Sequence, residues 1–185
     1  VPICAEIGAR MMFFTQLPIE KHLAAVETYR TLYRDHHRSD PPPVVNVDFV
    51  YCDHDAAKAE EMARKYIGAY QVAVSAHYEL AGEHFAEKKG YESYAGTAAV
   101  MRKVAQEKIV EGFVRTQTWG TPQQILDRLE KRRAVLGDFD LRAVFTYSGM
   151  PYPESDKSLE LFAREVLPEI RSWGPRPIEI AAAVA

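Results

Sequence analysis

Long apolar runs, metal-ligand spacings and nucleotide-binding glycine motifs are missing from this sequence, and each absence removes a class of function. No stretch of about 18 apolar residues occurs, so no transmembrane helix is expected. Cysteine is scarce. Cys4 and Cys52 cannot build a disulfide framework, have no C-x-x-C partner, and read as core thiols of a protein in a reducing cytoplasm. There is no His-Glu-x-x-His, no G-x-G-x-x-G and no P-loop, which leaves zinc-protease, Rossmann and nucleotide-triphosphatase readings unsupported. Neither charge sign dominates: the net charge is -3 and the pI is near 6.1, so no basic footprint for nucleic acid exists. No basic stretch followed by an apolar one opens the chain as in a signal peptide. The first residue is Val1 rather than Met, which fits a fragment, a processed chain or an alternative start codon.

What remains is an ordinary globular balance. Of the 185 residues, 47% are hydrophobic and 26% charged, enough for one domain with its own core. Three apolar runs read as buried strands, near residues 11–15, 44–52 and 141–147. The second, Val44 to Cys52, is rich in β-branched and aromatic residues. Residues 3–8 read as the tail of a helix stopped by Gly8. A helix from Pro18 shows an apolar face through Leu23, Val26, Tyr29 and Tyr33, and must end before Pro41-Pro42-Pro43. Its basic end, Arg34 with His36, His37 and Arg38, complements the helix dipole. Asp53 or Asp55 caps a long helix over about residues 56–81. Residues 82–96 read as irregular and 97–111 as a further helix. Thr121-Pro122 with Gln124 is a capping box opening a helix that Gly137 stops. Residues 154–172 form the last helix, and a flexible tail is expected over residues 174–185.

Helix-length crossovers between apolar runs require the strands to be parallel, so the fold class is α/β. A closed eight-stranded β/α barrel takes roughly 250 residues, so three strands in this chain cannot close one. Their free edges invite pairing with another chain.

The order of pieces over the second half resembles the carboxyl-terminal end of luciferase-like flavin monooxygenases, β/α barrels that use reduced flavin and oxygen. The matching residues are Gly120-Thr121-Pro122 with Gln124, Leu126 and Leu129, Gly137, the strand, Gly149-Met150-Pro151, and Leu161-Phe162 followed by Val166-Leu167-Pro168. Gly8-Ala9-Arg10 looks like the entry to the sixth barrel strand. His77-Tyr78-Glu79 and Gly90-Tyr91-Glu92-Ser93-Tyr94 look like the helical insertion over the barrel mouth. The resemblance implies a partial (β/α)8 TIM barrel over residues 1–173, with strands one to five and the flavin-phosphate segment lying outside the chain.

That resemblance implies an oxidation of a small apolar or aldehyde-like molecule with reduced FMN and oxygen. It also implies that this chain alone holds FMN weakly, for want of the phosphate loop. A deazaflavin in place of FMN stays open. The alternative is a truncated, non-catalytic relative, dimeric, that binds a flavin derivative or nothing. Partners are a small-molecule substrate and a second copy or the missing half, with no nucleic acid and no membrane. Tyr147, Ser148, Gly149 and Met150 fall just past a strand's carboxyl end, where barrel enzymes carry their chemistry, or they simply form a turn. Tyr91 and Tyr94 line a pocket or pack the insertion. His77 and His84 act as general base or hydrogen-bond donor, or are satisfied locally at the surface. With Glu79 and Glu83 these histidines match no metal motif.

Overall fold

The computed structural model describes residues 1–175, apart from the side chains of Glu92 and Ser93. Most of the tail expected to be flexible therefore lies outside the described residues. Four strands form the sheet: β1 (Met12–Phe14), β2 (Val44–Cys52), β3 (Thr118–Gly120) and β4 (Phe139–Val144). All pairings are parallel, and β2 is the hub. It pairs with β1 at Val45–Val47, with β4 at Val44–Phe49 and with β3 at Val50–Cys52. The nine residues of β2 are buried on both faces except for half-buried Val47, which is why its sequence is an almost unbroken apolar run.

Nine α-helices flank the sheet: α1 (Pro2–Glu6), α2 (Leu23–His37), α3 (Ala56–Met62), α4 (Gly68–His77), α5 (Glu92–Met101), α6 (Gln106–Thr116), α7 (Pro122–Leu136), α8 (Tyr152–Leu161) and α9 (Leu167–Ser172), counted among the described residues. The expected helix over 56–81 is a single run from Ala56 to His77 with a π-helical turn at Ala63–Ile67. Asp55 caps it, accepting from the N–H groups of Ala57 and Lys58. The expected helix over 97–111 is instead two helices, α5 and α6, broken at residues 102–105. Strand β4 starts two residues earlier than the apolar run suggests and ends at Val144, so Tyr147 sits in a turn. Strand β3 has no forerunner in the sequence reading. Three residues are too few to show a period, and the capping signal beside them dominates.

Even- and odd-numbered residues of β2 go to different layers. Val44, Val50 and Cys52 pack outward on α2, α7 and α8. Phe49 and Tyr51 face inward, under the segment of α3, α4 and α6 that folds over the carboxyl ends of the strands. Lower on this inner face the register aligns Met12 with Val45 and Asp140, then Phe14 with Val47 and Arg142. Met12 is 65% exposed, and Asp140 and Arg142 are exposed too. Outer edges of β1 and β4 carry no strand among the described residues. The sheet is open, on a face and at edges that a closed barrel would fill.

Candidate functional site

A cleft of about 1110 Å³ opens at the carboxyl end of β1. Its floor is the segment Phe14–Glu20 leaving that strand, one wall is built by α4, α5 and α6, and the other by Trp119 and α7. Two sheet-level features shape it. Strand β3 begins where β1 ends, and the junction is sealed by Gln117, a fully buried side chain. Gln117 Nε2 donates to Thr15 O at 2.5 Å while its Oε1 accepts from Phe49 N at 3.1 Å.

Behind that junction lies a buried polar cluster on the outward face of β2. Asp48 and Asn46 are both 0% exposed. Arg132 of α7 reaches them, with Nη1 at 2.5 Å from Asp48 Oδ2 and 2.6 Å from Asn46 Oδ1. Thr118 donates to the same carboxylate oxygen. Asn46 Nδ2 donates to Thr15 Oγ1 at 2.6 Å, which ties the cluster to the cleft floor. Three buried polar atoms here have no partner among the described residues: Asp48 Oδ1, His22 Nε2 and Arg128 Nε. Burial lowers the His22 pKa, and the nearby Arg132 lowers it further. Desolvation and the neighbouring Arg132 likewise depress the pKa of Arg128. Buried polar atoms without partners are uncommon in folded proteins, so their concentration beside one cleft marks a specialised place.

The aromatic side of the cleft consists of Phe14, Tyr70, Phe113 and Trp119. Trp119 Nε1 is fixed by Val114 O at 2.7 Å, and the Arg128 guanidinium lies 5.6 Å from its ring. Such a face offers a flat apolar surface bounded by cations.

The residues singled out from sequence fall elsewhere. Tyr147 and Met150 are 7% and 4% exposed and pack with Phe49 in the inner core. The Tyr147 hydroxyl donates to Val50 O at 3.2 Å, and burial raises its pKa strongly. Ser148 and Gly149 are exposed and take positive φ, 50° and 73°, so they form the turn that returns the chain to α8. Tyr91 and Tyr94 are 48% and 49% exposed and stack on buried Phe85. His77 is exposed at the end of α4 beside Tyr78, while His84 lies against Phe85 with Glu79 at 3.8 Å. None of these eight residues lines the cleft. No group of three metal-ligating side chains comes together among the described residues.

Sequence reasoning missed Asn46, Asp48, Arg128 and Arg132. A signal for them existed. Asn46 and Asp48 are alternate polar residues in an otherwise apolar strand, hence on one face, and need buried partners there. Arg128 and Arg132 stand four apart on one helix face and meet that need.

A parallel sheet wrapped by helices, with a cleft at a strand's carboxyl end, defines an α/β fold. Comparison with known proteins makes the assignment definite. The family model described as luciferase-like monooxygenase matches residues 1–138, and the chain belongs to that family. The match runs from α1 through α7, and the resemblance seen in the sequence extends from Gly8 to Pro168. No curated protein matches the chain by sequence. Among solved structures, the monooxygenase RslO1 from Streptomyces bottropensis is similar at 19% identity and a TM-score of 0.55, covering 91% of this chain and 44% of that one. The oxygenating constituent of 3,6-diketocamphane monooxygenase from Pseudomonas putida, in complex with FMN, is similar at 14% identity and a TM-score of 0.57, covering 91% and 45%. The coenzyme F420 dependent tetrahydromethanopterin reductase from Methanopyrus kandleri is similar at 19% identity and a TM-score of 0.52, covering 91% and 48%. At these identities the likeness is one of fold, and the chain spans under half the length of each. No helix of the described residues is long and apolar enough to cross a membrane.

Proposed function

We propose that residues 1–173 form the carboxyl-terminal part of a flavin-dependent monooxygenase, cytoplasmic, acting on a small apolar or aldehyde-like substrate with reduced flavin and oxygen. The family match over residues 1–138 carries the proposal. The cleft supports it: a large apolar and aromatic hollow at the strands' carboxyl ends suits a reaction in which the protein positions substrate and excludes water. When bound, the flavin supplies the oxygen chemistry. This chain's own share is the aromatic wall of Phe14, Tyr70, Phe113 and Trp119 and the cover formed by α4 to α6.

The residues present do not make a flavin site by themselves. Phe49, Tyr147 and Met150 are packed together in the core, so these side chains are not free to line a ring. The exposed inner face and the open edges of β1 and β4 call for completion, by a segment supplying the remaining strands or by a second copy. FMN is the cofactor we favour, since one similar structure holds it, with a deazaflavin as the variant suggested by another.

Titration with FMN tests this reading. The 185-residue chain alone is expected to quench FMN fluorescence weakly or not at all. The same chain joined to any polypeptide encoded upstream of Val1 is expected to bind one FMN and, supplied with reduced FMN and oxygen, to convert decanal to decanoate with release of oxidised FMN and water. Micromolar one-to-one binding by the chain alone would overturn the incomplete-site reading. Absence of binding by the joined form would overturn the flavin assignment.

A further inference from the structure

Charge in the cleft runs against the charge of the chain. The protein carries a net charge of -3, yet five cations line this hollow against two carboxylates, Glu20 and Asp127. Asp48 neutralises Arg132 directly. Asp127 is already engaged by Gln123 Nε2 at 2.7 Å. Lys108 and Lys131 are exposed and Arg115 is exposed beside them, and none of the three side chains makes an ion pair or hydrogen bond among the described residues. Arg128 is half-buried. Its Nη1 donates to Arg115 O at 2.6 Å, but Nε is buried with no acceptor. Four cationic side chains thus remain against two carboxylates, so among the described residues the cleft keeps an excess of positive charge that favours an anionic ligand.

The rest of the cleft is of opposite character. Leu17, Ile19, Val74, Val100, Val104 and Ile109 line it. Val100 is 61% exposed on α5, an apolar side chain left facing open space. A ligand that satisfies both parts has an elongated apolar body and an anionic head. We infer that this cleft binds an amphiphilic anion, with a carboxylate or phosphate head at Arg128, Lys131, Lys108 and Arg115 and its apolar body along α5 and α6. The inference rests on reading the cleft as the substrate site, and it narrows that site's ligand from apolar to amphiphilic and anionic.

Isothermal titration of the unmodified chain tests it without flavin or turnover, so its failure leaves the flavin assignment standing. Decanoate and decyl phosphate are compared with 1-decanol, acetate and inorganic phosphate. Saturable one-to-one binding is expected for the two amphiphilic anions, at least tenfold tighter than for decanol and absent for acetate. The stronger of the two anions identifies the head. Trp119 emission, isolated in a Trp173→Phe variant, should shift with the same midpoint, because Trp119 lines the cleft and Trp173 packs against Arg133 elsewhere. Lys108→Gln combined with Lys131→Gln changes two exposed side chains. It should weaken decanoate at least tenfold, leave decanol unchanged and leave thermal unfolding unaltered. Equal affinities for decanoate and decanol, an unaffected double variant, or no binding would overturn the inference. FMN displacing decanoate from the cleft would overturn it too, by giving the cations to the cofactor.

Discussion

Asp48 is fully buried on the central strand, and among the described residues Arg132 is its sole charged partner by direct contact. Removing one member of such a pair leaves an uncompensated charge in a low-dielectric site, which costs about 3–5 kcal/mol. Arg132→Met is therefore expected to lower the stability measured by urea unfolding by that amount, while Asp48→Asn with Arg132→Met together should cost less than Arg132→Met alone. A single-variant loss below about 1 kcal/mol would show that water reaches Asp48. A second residue, Glu154, is half-buried in the first turn of α8. Lys58 and then Lys157 hydrogen-bond its carboxylate and hold its pKa down to about 2. Lys58 also reaches Asp53 at 2.9 Å, so the group staples the start of α3 to the start of α8. A depressed folded-state pKa stabilises the fold above the ordinary carboxylate value near pH ~4.3, and the contribution fades as the pH falls toward 2. Melting curves of the wild type and Glu154→Gln should differ at pH 7 and converge near pH 2. A gap that stays constant over that range would remove Glu154 from the acid response.

Strand β3 and helix α7 form one device at the scale of elements. Gly120 takes a φ of 138°, and a Cβ there would come within 2.7 Å of Gln124 Oε1. The following Thr121 caps α7, and Gln124 returns the contact to Thr121 N at 2.9 Å. The close approach and the capping box together aim α7 so that Ile125 and Leu129 pack outward on Val50 and Cys52 and Arg132 reaches Asp48. Thr121→Ala should cost about 1 kcal/mol in urea unfolding, the ordinary value of an N-cap. No change would mean that packing alone holds the helix start. Gln117→Leu tests the junction with β1. It strips the side-chain acceptor from Phe49 N, worth about 1–3 kcal/mol when a buried N–H is left unpaired, and leaves Thr15 O to Thr116 Oγ1 at 3.2 Å. A neutral result in the same unfolding assay would mean that water replaces the amide. The capping box and the long runs of β2 were legible in the sequence because their signals are local: a residue type at a fixed spacing. The break between α5 and α6 and the start of β4 were not, since neither carries a proline or a cap strong enough to fix a boundary. The cleft's residues were illegible for a further reason. They come from five separate stretches of chain, and only the sheet register brings Thr15, Asp48, Thr118 and Arg132 together.

The whole molecule is a parallel sheet with one covered end and one open face. The outward layer is complete: α2, α7 and α8 bury Tyr29, Ile125 and Leu129 to within 2% exposure. The inner layer is complete only over Phe49 and Tyr51, beneath α3, α4 and α6. Below it, Met12, Asp140 and Arg142 are exposed on the inner face of the open sheet, with Arg10 paired to Asp140 at 2.5 Å across the lower rim. Met12 forgoes about 1.5–3 kcal/mol of burial there, and the edges of β1 and β4 carry no strand among the described residues. The chain spans under half the length of each similar structure, and its sheet is open among the described residues. Size exclusion coupled to light scattering measures directly whether a second copy completes it. The 185-residue chain at micromolar concentration is expected to elute as a dimer or larger species. A sharp monomer peak near 21 kDa with cooperative unfolding would contradict the account, because it would mean that the chain caps its own edges.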